Sequence, residues 1–239
     1  MPTTLLPSPP LLTIAPAGGS PPPPAPPDAA LVVDPTGCTV RLAMPGADRE
    51  SCRVIVFDGG IICRNTPSVA TDPVPGIVHR RERPGGVLRR MVRIPSNLDR
   101  DRVVTTVSDG VMEVRLPWIT AAPRAVPGPF PAVRAAGRIP IDLHETGSRL
   151  ILIADVPGVG AGGVSITAHH GVVDLLVDFP QREPTGGTCI WNELPTGPVA
   201  RRIALPGMGE PAWVASELRD GVLRVELGKT DINHGMGAA

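Results

Sequence analysis

Residues 109–117 read DGVMEVRLP, and residues 220–228, 111 positions further along the chain, read DGVLRVELG. In both stretches the side chains after Asp-Gly alternate, with Met112, Val114 and Leu116 apolar in the first copy. This period of two indicates a strand with one buried face, and Asp-Gly favours the tight turn that joins antiparallel neighbours. The same turn and strand therefore occur twice.

Other landmarks repeat at nearly the same distance. Met44-Pro45-Gly46 is matched by Val156-Pro157-Gly158, 112 positions later, and LRRMVRIP at 88–95 is matched by ARRIALP at 200–206. Because the landmarks keep their order and their offset changes by only one residue, the sequence indicates a tandem duplication.

Each copy has the pattern of an all-β domain. RLILIADV at 149–156 is continuously apolar, as in a covered strand, and no window of helical length has a convincing 3.6-residue period. We expect two tandem antiparallel β-sandwiches at 31–118 and 138–229. A disordered proline-rich arm (1–30), a Pro/Ala-rich linker (119–137) and a flexible tail (230–239) complete the prediction.

Composition argues against several function classes. Lys+Arg and Asp+Glu each number 23, so no net charge favours nucleic acid or an anionic membrane. The four cysteines lack metal-ligand spacing and suit reduced, mostly buried thiols. The glycine-rich run at 158–163 precedes a β pattern rather than the helix that a dinucleotide site needs. We expect no catalytic, cofactor or metal site, and a cytoplasmic location because no signal peptide or spanning helix is found.

The order of the repeated landmarks resembles the α-crystallin domain of small heat-shock proteins. HRRERPGGVLRRMVRIP at 79–95 resembles the bacterial form, IPIDLHET at 139–146 looks like the opening strand of a second domain, and Gly221-Val222-Leu223 matches the terminal signature. The resemblance implies immunoglobulin-like, α-crystallin-type sandwiches. It also implies an ATP-independent chaperone, a holdase that binds partly unfolded client proteins without being an enzyme and associates with itself.

The resemblance places client binding in apolar grooves between strand edges, where an exposed client strand can pair. The residues expected there are, in the first copy, Val54, Val56 and Val104, and in the second, Val164, Ile166 and Val214. The alternative is that these side chains belong to ordinary cores.

Arg90 and Arg201 occupy the position of a family arginine that helps to hold the dimer through an acidic partner. The alternative for both is a solvated arginine on a strand. The family dimer also suggests that strands are donated from the loops at 64–77 and 177–198, either within one chain, as a pseudo-dimer, or between chains.

Ile139-Pro140-Ile141 fits the I-x-I pattern that docks into a groove in this family. The alternative, which we favour, is that it begins the first strand of the second copy. The tail has no such motif, which makes a large shell doubtful and leaves a rival function open, namely a scaffold or adaptor that binds one specific partner.

Overall fold

The computed structural model describes residues 25–66, 74, 76–120, 138–181 and 187–230. Most of the predicted arm, linker and tail (residues 1–24, 121–137 and 231–239) lies outside the described residues. The limits predicted for the arm, domains, linker and tail stay a prediction.

Strands β1–β8 form the first domain, except β5, which pairs with the second domain. Their bounds are Ala29–Asp34, Gly37–Ala43, Cys52–Phe57, Gly60–Asn65, Ile77–Arg81, Leu88–Arg93, Val104–Ser108 and Val111–Pro117. Strands β1, β2, β8 and β7 lie side by side in one sheet, and β3, β4 and β6 form the opposite sheet. All these pairs are antiparallel, and the two sheets enclose one aliphatic core.

Strands β9–β16 repeat this arrangement. Their bounds are Ile141–Thr146, Arg149–Asp155, Val164–His169, Val172–Phe179, Thr188–Asn192, Gly197–Ala204, Trp213–Arg219 and Val222–Gly228. One sheet contains β15, β16, β10 and β9, and the other contains β11, β12 and β14. The glycine-rich run supplies a single 3₁₀ turn at Ala161–Gly163, and β11 follows it directly. The predicted all-β fold with two tandem antiparallel sandwiches is confirmed.

The two domains exchange a strand within one chain. β5, from the first half of the sequence, pairs with β9 of the second domain, and β13, from the second half, pairs with β1 of the first. Each domain therefore has a five-stranded sheet whose outermost strand comes from the other domain. Of the two arrangements that the sequence left open, the structure has the exchange within the chain.

The two exchanged strands contribute differently to the domains that receive them. Ile190 of β13 is 3% exposed in the first-domain core, and Trp191 packs against the same core. The side chains around β5 instead make polar contacts with the second domain, including His79 Nε2 to Glu145 Oε2 at 2.5 Å. β13 thus adds apolar side chains to the core of its host domain, whereas β5 adds polar contacts to its host.

Candidate functional site

A groove runs between the edges of the two sheets of the first domain. β3 ends the three-stranded sheet and β7 ends the five-stranded sheet, and neither pairs with a further strand among the described residues. Val54 and Val56 of β3, together with Val103 and Val107 beside and on β7, pack half-buried against the core. This first-domain groove therefore combines aliphatic side chains with two unpaired strand edges.

The second domain has the equivalent groove between β11 and β15. Val164, Ile166 and Ala168 of β11 and Leu218 of β15 pack partly buried against the second core. On the groove side β15 is more open than β7, since Val214 is 45% exposed while Val103, beside β7, packs half-buried against the core. The two grooves thus share their architecture but differ in the amount of apolar surface that reaches solvent.

The predicted groove residues fall into two groups. Val54, Val56, Val164 and Ile166 lie half-buried along the edges, and Val214 lies exposed on β15. Val104 is 57% exposed, while its neighbour Val103 packs against the core. Because successive strand residues face opposite sides, Val104 points away from the first-domain groove. Val103, which lies 111 positions before Val214, is therefore the first-domain equivalent of Val214.

Arg90 lies on β6, where it faces the exchanged strand β13. Its Nη1 and Nη2 atoms donate to both carboxylate oxygens of Glu193, at 2.5 and 2.9 Å, and Nη1 also donates to the carbonyl oxygen of Pro27 at 2.7 Å. The Arg90 guanidinium lies 5.2 Å from the centroid of the Trp191 ring. A two-point contact of this kind fixes the relative orientation of the two groups.

Arg201 makes the equivalent contacts in the second domain. It donates to Glu82 Oε1 at 2.7 Å and to the carbonyl oxygen of Ile139, and Glu82 directly follows the exchanged strand β5. Burial raises the pKa of Glu82, but the hydrogen bond and charge of Arg201, with the charge of Arg80, outweigh burial and lower that pKa below its ordinary value. The carboxylate is therefore held in its charged form.

Glu82 and Glu193 were not identified from the sequence. They are 111 positions apart, the same offset as Arg90 and Arg201, and each follows an exchanged strand directly. Their backbone N–H groups donate to the carbonyl oxygens of Ile141 and Ala29, respectively. Extending the repeat alignment to acidic residues would have shown that the two glutamates are equivalent, but not that they bind the arginines.

Ile139 and Ile141 do not lie in the groove of the first domain. They are 1% and 0% exposed within the core of the second domain, and Ile141 is the first residue of β9. Because both side chains are buried there, neither is free to dock into the groove of the first domain.

A buried ion pair joins the segment after β5 to the second domain. Arg83 Nε donates to Asp155 Oδ1 at 2.7 Å, and the two side chains are 9% and 6% exposed. Burial raises the pKa of Asp155, and the adjacent Arg83 guanidinium counteracts part of this rise. The repeat-equivalent positions in the other half are Ala43 and Leu194, so the matching exchange has no such pair.

The two repeated Asp-Gly turns meet between the domains. Met44 N donates to Gly110 O and Gly158 N to Asp109 O, and their equivalents are Val156 N to Gly221 O and Gly46 N to Asp220 O. These contacts obey an approximate twofold relation, like the exchanged strands. The Met-Pro-Gly and Val-Pro-Gly landmarks thus serve the interface between domains.

The cysteines are free thiols, and Cys38, Cys52 and Cys63 are buried. Burial raises the pKa values of Cys38 and Cys63 to about 12, so both remain protonated near neutral pH. Over the ranges that the structure describes, no cluster of three or more His, Cys, Asp or Glu side chains is suited to hold a metal ion.

Comparison with known proteins gives the family. The model of the Hsp20/alpha crystallin family matches residues 30–127 and again 142–235. The two matches cover most of the chain, which therefore belongs to this family, and the resemblance found in the sequence is confirmed.

Three relatives each match a stretch about as long as one domain. A protein named "Small heat shock protein, chloroplastic" from Pisum sativum is 30% identical over 95 residues, which are 40% of this chain and 40% of that protein. The chain thus spans less than half the length of this curated relative. Solved structures that resemble the chain include heat shock protein 16.0 from Schizosaccharomyces pombe, at 21% identity, covering 43% of this chain and 94% of that one with a TM-score of 0.38. HspA from Xanthomonas axonopodis is 23% identical, covers 40% and 96%, and gives a TM-score of 0.37.

Among the residues placed in the structure, no helix has the length and apolar character needed to cross a bilayer.

Proposed function

We propose that the protein is an ATP-independent chaperone, a holdase that captures partly unfolded proteins in its two edge grooves. The observation that carries this proposal is the pair of grooves, each bounded by strand edges that have no partner in the described parts of the chain. An exposed client segment can pair with such an edge through its main chain and bury its side chains on the valines and isoleucines. Membership of the Hsp20/alpha crystallin family supports the same conclusion.

Two grooves in one chain can hold a client even if each groove alone binds it weakly. Full burial of one aliphatic side chain contributes about 1.5–3 kcal/mol, so a single short contact holds a client only briefly. Two grooves on one particle raise the effective concentration of the second site for a client that is already bound.

Arg90 and Arg201 keep the two grooves in one particle. Each arginine binds the glutamate that follows an exchanged strand, so it connects a groove-bearing domain to its partner domain. A cytoplasmic location stays a prediction, and the pea relative is by its name a chloroplast protein.

The test is suppression of heat aggregation. A model substrate that aggregates on heating is followed by light scattering with increasing amounts of this protein and no nucleotide. We expect suppression near an equimolar ratio. No suppression at several-fold excess would contradict the proposal, and tight binding to one partner with little suppression would favour the adaptor function.

Paired substitutions locate the binding surface. Val54→Thr combined with Val164→Thr makes both grooves more polar at nearly constant shape, so about two- to fivefold more protein should be needed for half-suppression. Val104→Thr is the matched control, because Val104 lies on the opposite face of β7. Equal effects of the groove and control variants would exclude the grooves as the binding surface.

A further inference from the structure

The outer face of the β3–β4–β6 sheet carries two adjacent rows of side chains, which lie beside a third row that contains Phe57 and Arg93. In the strand register Arg53 lies opposite Arg64, and Arg64 lies opposite Arg89. The next outward-facing row, two residues along each strand, consists of Ile55, Ile62 and Met91. Ile55 and Met91 are 61% and 60% exposed, and all three arginines are exposed. We call this surface the arginine–isoleucine face.

In the described part of the chain, the arginine row is not balanced by ion pairs. Among the described residues no carboxylate forms an ion pair with Arg53, Arg64 or Arg89, although most other charged side chains around the two domains are paired. Arg53 donates to the backbone carbonyl oxygens of Glu50 and Cys52. Like charges directly opposite each other on neighbouring strands destabilise a sheet. An anionic occupant would remove that repulsion.

The second domain lacks this face. The row equivalent to the three arginines is Ser165, Leu176 and Ala200, which carries no charge. The row equivalent to the apolar one is Thr167, Asp174 and Arg202, in which Asp174 and Arg202 form a two-point ion pair at 2.6 and 2.7 Å. The same sheet in the same fold is therefore charge-balanced in one copy and purely basic in the other, so the fold itself does not require the arginine row.

We propose that the arginine–isoleucine face binds an amphipathic α-helix of a partner protein whose apolar stripe is bordered by acidic side chains. Neighbouring strands lie about 4.8 Å apart, so the three arginines span about 10 Å. Acidic residues at positions i, i+3 and i+7 of a helix span nearly the same distance, about 10.5 Å. The apolar row lies about 6.8 Å away, within reach of the neighbouring apolar stripe of that helix.

A helix suits this face better than an extended segment. The middle of a sheet face offers no free backbone donors or acceptors, unlike the groove edges. An extended segment lying on the isoleucines would leave its own N–H and C=O groups without partners, whereas a helix satisfies them internally. The face is thus chemically distinct from the grooves, although it shares β3 with the first-domain groove.

The probe is a synthetic helical peptide of about 18 residues with a leucine stripe and Glu at positions i, i+3 and i+7 along its border. Binding to the full chain is measured by fluorescence anisotropy. We expect Arg64→Gln with Arg89→Gln to weaken binding about tenfold, and the affinity to fall as salt rises. Arg202→Gln is the matched control in the second domain and should leave the affinity unchanged.

Two further probes make the outcome decisive. The peptide with Gln in place of its three Glu residues should bind at least about tenfold more weakly, and a variant carrying Arg64→Glu and Arg89→Glu should prefer a peptide with Lys at those positions. Equal binding of the Glu and Gln peptides, or no loss in the double variant, would overturn the proposal. Binding of phosphatidylglycerol vesicles without binding of the Glu peptide would also overturn it and would assign the face to an anionic lipid surface.

Discussion

Arg83 and Asp155 illustrate, at the scale of single residues, how the two halves of the molecule differ. The pair is almost fully buried between the segment after β5 and the second domain, while the other half has Leu194 and Ala43 at the equivalent positions. A buried ion pair gains stability only when both charges are present, because removing one leaves the other desolvated and unpaired.

Arg83→Leu should therefore destabilise the protein by about 3–5 kcal/mol, since Asp155 would remain buried without its partner. The double variant Arg83→Leu with Asp155→Ala copies the residues of the other half and should recover most of that loss. Chemical denaturation followed by circular dichroism measures both. A double variant as unstable as the single one would show that the pair contributes through packing rather than through charge.

Single residues were predictable from the sequence only where the repeat or the family pattern included them. Arg90 and Arg201 were found because they lie in the repeated strand before Ile-Pro and Leu-Pro. Their partners Glu82 and Glu193 come from the opposite half of the chain, and no local pattern indicates a contact across more than 100 positions. Which β7 side chains face the groove depends on the strand register, because a shift of one residue reverses every side chain. The prediction therefore named Val104, whereas its neighbour Val103 faces the core.

At the scale of secondary-structure elements, the repeated Asp-Gly turns connect the strands of their own hairpins and also contact each other across the two domains. Gly110 has a φ of +69°, and a Cβ placed on it would lie 2.4 Å from the carbonyl oxygen of Asp220. Gly59, in the β3–β4 turn, has a similar φ of +74°, but a Cβ placed on it would have no neighbouring atom within 4 Å. The two glycines share a backbone conformation but differ in what surrounds them.

Gly59→Ala should cost about 1–2 kcal/mol, the strain of a left-handed conformation in a residue with a Cβ. Gly110→Ala should cost at least about 1 kcal/mol more, because its methyl group would collide with the turn of the other domain. Thermal unfolding of the two variants compares them directly. Equal losses would mean that the turns can separate without weakening the fold.

The ordinary strands were predictable because their side chains alternate or are continuously apolar, as in β8, β10 and β16. The exchanged strands were harder. β5 lies in a run dense with charge, just after the loop at 64–77, and β13 lies within the loop at 177–198. Their pairing is decided by the edges of another domain, which local periodicity does not report.

At the scale of the whole molecule, the reciprocal exchange closes both acceptor edges within a single chain. β1 is covered by β13 and β9 by β5, and two interdomain backbone hydrogen bonds at the turns, from Gly46 N to Asp220 O and from Gly158 N to Asp109 O, add to this interface. All of these contacts are made by residues outside 121–137, the stretch that connects the domains in sequence.

A chain cut inside 121–137 should therefore stay together as one particle. A specific protease site inserted there allows cleavage after folding, and light scattering coupled to size exclusion measures the mass. We expect the mass of an intact chain under native conditions and two fragments in denaturant. Separation of the halves in buffer would show that the exchanged strands alone do not hold the domains.

The approximate twofold symmetry has an evolutionary consequence. In a dimer of identical subunits every substitution appears twice, so a change that helps one side is imposed on the other. Here each side has its own codons, and the strand exchange keeps the pair in a fixed one-to-one ratio. One half can thus acquire a buried ion pair or a basic sheet face while the other half keeps apolar or uncharged residues at the equivalent positions. A homodimer cannot encode such a difference.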